Sequence, residues 1–589
     1  MLHNMLKYHT FTGDYDLAIR NLMFKENNSH LQRELFGTFN LVSPAMSKKM
    51  TSSSEYLFYR LIHCRIDEKI FAGLYSEEAS RPNASINTMV SALILMKHHD
   101  WTYEELFENI QFHLLVRLAL GLDDLERMPF CMATLFNFQN RLIDHFIRTG
   151  ENLFEQVFDR LTEQQLKQLK IKANICRTDS VMVASNIRSY SRLQLLIEML
   201  LRIYRVLNEA DQESYKIHFE RYLGKSSGQY IYTLKSGELS AELTMIGELY
   251  HWIDHHLMPH YQDEQIFKIF ERVYQEHFSV VAEKVIVRSS EEMRSSFVQS
   301  PDDLDAAFRE KNGHQIKGHV ISIVETATPE NGVNLITDVV VKPVNIDDST
   351  ILNERLDIIK EKTPEIEELH FDGGYGSEAN DRKMLKNEIT PVQTAIRGRQ
   401  AQVEIEINEI SGDTYQVSCP LQSVVATATR KRLKACFDKS VCKNCPHNQD
   451  CRLVEQKRWR VYYFKPEDYL KQRRQRMIEN IPPERRMLRN NVEATIKEFS
   501  CRMRGRKVRV RGNFKTPLFA YGVAIGVNFG RIRRFTQKNE ERELIIISNF
   551  MRIFTWITGL WKEFRNQIEY LVKLQILQRK YPFLIKCSF

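Results

Sequence analysis

The 589-residue chain predicts an α/β protein built on a mixed sheet, preceded by helices and interrupted by one helical and one β insertion. Three observations predict this. Ile171, Ala173 and Ile175 alternate as a half-buried strand does, on the way to Asp179. Apolar runs at 319–324 and 335–341 flank Pro329-Glu330-Asn331-Gly332, and Asn-Gly between apolar runs is a hairpin signal. A helical stretch at 352–362 then leads to the run 366–372, ending at Asp372, and a long helix carries Glu493.

Upstream, residues 1 to about 75 give no clear periodic signal. From Arg81-Pro82-Asn83 onward helices follow: Ile86 to His99 with Ser85 as N-cap, Tyr103 to Gly121, and Ala133 to Leu161. The third has Leu135, Phe138, Leu142 and Phe146 at helical spacing, while Thr134, Asn137 and Arg141 share a polar face. That face fits a DNA-reading helix or an ordinary amphipathic one. From about 190 to 300 the chain is again helical, with Leu193, Leu196, Ile197, Leu200 and Leu201 in register, followed by Ile246 to Tyr274. Residues 401–465 mix strand text (Val403, Ile405, Ile407) with cysteines, and 540–580 is helical and aromatic-rich.

Charge is uneven. The whole chain carries +8, yet residues 457–515 hold 19 Lys and Arg against 6 Asp and Glu. The remainder is therefore slightly acidic, and the basic stretch suits a polyanion. No secretory signal is visible near Met1. The best apolar run, 544–561, is broken by Arg552 and falls short of a membrane span. A soluble, cytoplasmic protein is expected, with no membrane partner. Five of the ten cysteines are isolated, as in a reducing compartment. The others cluster: Cys442-x2-Cys445 is followed by Cys451 and preceded by Cys419, a spacing that suits structural Zn²⁺. Cys436 and His447 are competing ligands.

The acids carry the chemistry. Cleaving a phosphodiester needs an activated attacking oxygen and a stabilised leaving oxygen, and two Mg²⁺ ions serve both. Such ions take a few carboxylates plus water and phosphate oxygens. Asp179, Asp372 and Glu493 are expected at a strand end, a second strand end and on a helix, in that order. Gly373 and Gly374 allow close approach of a phosphate. On the third element Leu488, Val492, Ile496, Phe499 and Met503 form an apolar stripe. Arg489, Glu493, Lys497, Ser500 and Arg504 follow one residue on, about 100° around the helix. Glu493 is thus expected at the edge of the buried face, flanked by cations.

Arg-Thr-Asp-Ser around Asp179, Phe-Asp-Gly-Gly-Tyr at 371–375 and the stretch 489–498 around Glu493 resemble the DDE transposases of bacterial insertion sequences, most closely the group numbered eleven-eighty-two. The segment 508–514 is similar to the basic segment that follows the catalytic helix in that group, and Arg81 to Arg141 resembles its helical N-terminal DNA-binding domain. The resemblance implies a ribonuclease H-like core whose Asp179, Asp372 and Glu493 hold two Mg²⁺, with Mn²⁺ as an alternative, to cut and rejoin element ends. It implies double-stranded DNA as partner, both terminal repeats and target, a homodimer, and action at the bacterial nucleoid. In related enzymes a Tyr stands three residues before the Arg, and a Lys seven residues after the Glu. Here Arg486 and Ser500 occupy those places. Expected DNA contacts are Arg486, Arg489, Lys497, Arg502, Arg504, Arg506, Lys507, Arg509 and Arg511, with Thr134, Asn137 and Arg141. The expected divisions are a helical DNA-binding region at 1–165 and a first part of the core at 166–400, its helical insertion at 190–310. A β insertion with the cysteines follows at 401–470, then the catalytic helix and basic segment at 471–535 and a helical tail at 536–589. Two rival functions remain: a DNA-binding relative impaired in catalysis, and a ribonuclease H-like nuclease that does not transpose.

Overall fold

The computed structural model describes residues 22–28, 42–76, 81–125, 127–393, 405–412 and 414–580; the side chains of Arg486 and of much of 540–580 lie outside that description. Val403, expected in a strand, also falls outside it. Residues Met1–Asn528 form one compact unit and Phe529–Phe589 a second.

The N-terminal helices begin as expected. Helix α1 (Ile86–His99) is capped by Ser85, whose hydroxyl accepts from the Thr88 amide at 3.3 Å. The next expected helix is shorter: α2 (Tyr103–Phe112) stops where His113 turns extended and caps a following turn of helix. The single helix expected over 133–161 is two. Gly150 takes a left-handed conformation, φ 75°, which ends α3 (Met132–Thr149), and Asn152 caps α4 (Leu153–Leu169).

Strand β1 spans Ile175–Ala184, so Asp179 lies mid-strand and not at a strand end. The strand continues because the strand His314–Thr326 pairs with it along its length, from Cys176↔Thr326 to Ala184↔Gly318. A helical insertion follows, including α5 (Arg192–Val206), α6 (Leu239–His256) and α7 (Gln265–His277). It has its own core, in which Leu196, Tyr250, Ile253 and Phe270 are fully buried. It closes with an unexpected hairpin, Phe278–Val281 with Lys284–Val287.

Strand β2 (Ala307–Lys311) was not expected. It joins β3 (His314–Thr326) through Asn312-Gly313, both at positive φ, the two-residue hairpin turn that Asn-Gly favours. Strand β4 (Ile336–Pro343), helix α8 (Asp348–Lys362), strand β5 (Glu368–Phe371), helix α9 (Glu378–Lys386) and strand β6 (Thr390–Gln393) complete this part. The sheet runs β6-β5-β1-β3, with β2 on the first part of β3 and β4 on the rest. Strands β6, β5 and β1 are parallel; β3 is antiparallel to β1, and β4 to β3. This mixed sheet with flanking helices fits a ribonuclease H-like core.

A β layer follows: β7 (Glu406–Ser411), β8 (Thr414–Ser418) and β9 (Ser423–Val425) in one sheet, β10 (Leu433–Asp438) and β11 (Trp459–Phe464) in another. Helices α10 (Pro466–Glu479) and α11 (Pro483–Ser500) lead to the long α12 (Gly512–Lys580), which covers the helical tail expected at 540–580. Among the described residues no helix is long and apolar enough to cross a membrane.

Two buried polar centres tie these pieces together. Asp338 of β4 accepts from Arg355 and Lys362 of α8, and both cations also pair with Glu155 of α4. Asp303, after the insertion, accepts from Ser185, from His319 Nε2 at 3.4 Å and from the Gly512 amide at 3.0 Å. Burial pushes the Asp303 carboxyl up, but those donors outweigh it and hold it at about 2. A depressed acid stabilises the fold above its unfolded value and loses that contribution as pH falls towards the folded one. Asp303→Asn is therefore expected to lower unfolding free energy by about 1–3 kcal/mol at neutral pH. In urea titrations the gap to the parent should narrow between pH 4 and 2; a gap that is constant over that window would contradict the assignment.

Candidate active site

Asp179 projects from the middle of β1 with its side chain 19% exposed. Asp372 follows the last residue of β5, beside the parallel register Arg177↔His370, and accepts from the Gly373 amide at 2.7 Å. Helix α11 packs across both strands and brings Arg489 between two acids. Its guanidinium is 3.4 Å from Asp179 and 3.6 Å from Glu493, while Glu493 itself is 67% exposed. Arg489 thus links Asp179 to Glu493, and Asp372 is close enough to Asp179 to act on its charge.

A fourth carboxylate, not singled out from the sequence, stands there too. Asp348, in the first turn of α8, accepts from Ser180 Oγ at 2.6 Å. Burial pushes the Asp179 carboxyl up; the Ser180 amide and Arg489 oppose this, while Asp348 and Asp372 add to it. Its neighbour Tyr375 is 2% exposed and rests against Phe371, so it closes the sheet end and does not face substrate.

The crowding that raises the proton affinity of Asp179 is what a divalent cation relieves, and carboxylate oxygens suit Mg²⁺. Asp179 and Asp372 fit that need from the sheet, and Glu493 from the helix edge. Among the described residues, no three His, Cys, Asp or Glu side chains already stand at coordinating geometry. The Arg489 guanidinium supplies the local positive charge instead.

What sets α11 against the sheet is a buried ion pair. Arg177 Nε donates to Glu325 at 2.6 Å, with side chains 6% and 0% exposed. The same guanidinium donates to the Leu488 carbonyl at 2.7 Å, and Thr495 Oγ1 donates to Glu325 at 2.7–2.8 Å. β1, β3 and α11 meet in one network. The stripe on α11 is only partly as expected: Val492 and Phe499 are fully buried, Leu488 and Ile496 half-buried. Thr495 is 1% exposed. It lies about 40° from Phe499 on the helix wheel, so a polar residue inside the apolar sector was the available signal.

The expected DNA-contacting residues divide. Lys497, Arg504, Arg506, Lys507 and Arg509 are exposed, and Arg502 and Arg511 half-exposed. Their segment is hydrogen-bonded to the end of β1: Ala184 N to Arg506 O, Val508 N to Ala184 O, Asn186 N to Val510 O. Arg509 pairs with Asp100 and Arg511 with Asp302. The Arg486 side chain lies outside the described residues. On α3, Thr134 and Asn137 are half-buried, and Thr134 contacts Cys131 near the helix start. Arg141 corrects the expectation of a DNA-facing residue: it is 6% exposed, its guanidinium 4.7 Å from the centre of the Tyr75 ring. Further basic groups that sequence reading missed, Arg473, Arg476 and Arg485, line a cavity of about 410 Å³ between α10 and β6; none of the three acids lines it. Cys419, Cys442, Cys445 and Cys451 line a separate small cavity.

Two outcomes test this arrangement. With no metal present, an acid whose folded pKa is raised costs stability increasingly as pH rises through that value. Asp179→Asn is expected to raise the melting temperature of metal-free protein at pH 7, with the gain vanishing below pH 4; a lower melting temperature at pH 7 would refute the burial argument. Glu325→Ala leaves Arg177 buried without its charge partner and is expected to cost about 3–5 kcal/mol in urea unfolding. Arg504→Ala should be near neutral by the same measurement.

No curated protein and no solved structure matches the chain. Residues 416–533, which contain the four cysteines, α11 with Glu493 and the basic segment, match the family described as Transposase DDE domain. The match supports a DDE transposase family for this chain and does not reach Asp179 or Asp372.

Proposed function

We propose that this protein is a DNA transposase that binds element ends and catalyses metal-dependent strand cleavage and strand transfer. One observation carries the reading: a helix inside the transposase-matching stretch lies across β1, which carries Asp179, and β5, which Asp372 follows, and its Arg489 lies within 3.6 Å of both Asp179 and Glu493. Bound Mg²⁺, or Mn²⁺ in its place, would activate the attacking oxygen and stabilise the leaving one. Asp179 and Asp372, on strands, and Glu493, on a pinned helix, would hold the ions. Arg489 is placed to neutralise the carboxylates before DNA arrives and to meet a phosphate afterwards. Lys497, Arg502, Arg504, Arg506, Lys507, Arg509 and Arg511 attract the backbones of terminal repeat and target. Joining two ends calls for two active sites, hence a homodimer. A bacterial insertion sequence of the eleven-eighty-two group, acting on DNA in the cytoplasm, is the setting that the motifs favour.

Asp372→Asn is expected to abolish Mg²⁺-dependent cleavage of element-end DNA while DNA affinity stays within about twofold; full cleavage by this variant would refute the reading. A second reading, a DNA-binding relative impaired in catalysis, is favoured by Arg486 and Ser500, which replace the Tyr and Lys of related enzymes. Salt-sensitive DNA binding without nicking by the parent protein would select it. Joining of pre-cut ends separates a transposase from a nuclease that does not transpose. Arg504→Ala should weaken binding to all DNA sequences alike and reduce the log-log salt slope by about one. An unchanged slope would remove Arg504 from the interface.

A further inference from the structure

The function proposed above makes no use of the cysteine cluster, although its geometry is specific. Cys419 follows β8 in a tight loop, its amide donating to Gln422 O at 2.8 Å. Cys442 lies in the short helix Lys439–Lys443, and Cys445 in the turn after it, its amide 3.3 Å from Cys442 O. Cys451 precedes the strand Val454–Glu455, which pairs with β11. Three loops from two sheets therefore converge, and the four thiols line one cavity of about 20 Å³, room for one water-sized particle. Leu421 and Leu453 are among the residues that close it.

None of the four is in a disulfide, and one further observation singles them out. The rival ligands are elsewhere: Cys436 sits within β10 opposite Val461, and neither it nor His447 lines the cavity. Gln422 braces the loops, accepting from the Asp438 amide at 2.8 Å and donating to Asp438 O at 3.1 Å and Cys442 Sγ at 3.4 Å. The neighbouring core is small. Nine buried residues, among them Ile407, Val417, Phe437 and Phe464, support the β layer. A cross-link would add stability to a layer with so small a core.

We propose that Cys419, Cys442, Cys445 and Cys451 bind one structural Zn²⁺ that cross-links the β layer. Among the described residues the four thiols share a cavity without standing at coordinating geometry, so an ion would have to draw the sulfurs together; Zn²⁺ takes four thiolates tetrahedrally with no position left for substrate. On binding, four thiols release four protons and form four Zn–S bonds; nothing is oxidised. The site stands or falls independently of the DNA-cleavage reading.

The test uses the full chain, expressed without a histidine tag and purified without chelator. Elemental analysis is expected to find about one zinc per chain. Cobalt-substituted protein should show the visible bands of a tetrahedral thiolate site. Titration with a mercurial should release the zinc as four thiols are consumed. Cys442→Ser and Cys445→Ser should each lower zinc content at least fivefold, whereas Cys436→Ser and His447→Ala should leave it unchanged. If the serine variants do not fold, the mercurial titration of parent protein decides the question. Folded parent protein without zinc, with iron and sulfide in its place, or with a disulfide among the four would overturn the proposal. Loss of zinc in Cys436→Ser would overturn the ligand set.

Discussion

The active-site arrangement depends on the buried contact between Arg177 and Glu325. Taking two charges out of water costs several kcal/mol per ion, and attraction repays that only where the remaining donors and acceptors are also satisfied. Here they are largely supplied by α11: the Leu488 carbonyl takes one guanidinium hydrogen and Thr495 donates to the Glu325 carboxylate. An apolar contact of equal size would hold a helix to a sheet as tightly but would resist sliding less, because burial is non-directional. A slip of one helical turn is about 5.4 Å. The two anchoring points, Leu488 and Thr495, lie on either side of Arg489 and Glu493, so a network that fixes them fixes the edge of the helix that carries both. Arg177 is two residues from Asp179 on the same strand, and the one guanidinium therefore references both acids to a common frame.

The same logic explains which features could be read from the chain alone. Local rules succeeded where the determinant is local: Ser85 caps α1, and Asn331-Gly332 separates two strands that do pair. They failed where a partner far away decides. β1 runs on past Asp179 because β3, more than a hundred residues later, offers it a continuous edge. Arg141 has the periodicity of a polar face, but Tyr75 covers that part of α3. Glu325 and Thr495 are separated by 170 positions, and nothing in the immediate surroundings of either marks the other. Asp348 looks like any acid at a helix start, and only the fold puts it against Ser180. The order of the three acids was legible; the parallel pairing of β1 with β5 that brings two of them side by side was not.

Electrostatically the site is poised rather than relaxed. Asp179 is crowded by Asp348 and Asp372 and is deprived of water, and the half-buried Arg489 is its counter-charge. The pair of Arg489 with the exposed Glu493 adds little, since an exposed i,i+4 contact is worth a few tenths of a kcal/mol. Glu493 is therefore cheap to move, whereas Asp179 is not. Under the proposed function this asymmetry would let the strand acid hold position while the helix acid adjusts.

Helix α11 is constrained beyond its middle. Ahead of it, α10 is fastened to β7, where Gln472 bonds Ile405 O and the Ile407 amide and Arg476 bonds Ile407 O. After it, residues 506–510 continue the backbone pairing of β1 at Ala184 and Asn186. Ala184 is five residues from Asp179, about 17 Å along a strand. The basic segment is therefore held at a set distance from the acids by main-chain hydrogen bonds, which do not depend on what its arginines contact. Its position stays fixed while the exposed Arg506 faces solvent and Arg509 is held by Asp100. Strain introduced in the β layer would reach Glu493 through α10, and strain at the end of β1 would reach it through the segment after α11. With the Arg177–Glu325 contact between them, both routes converge on one short helix. That is why the acid least buried in the site is also the one with the most structure organised around its backbone.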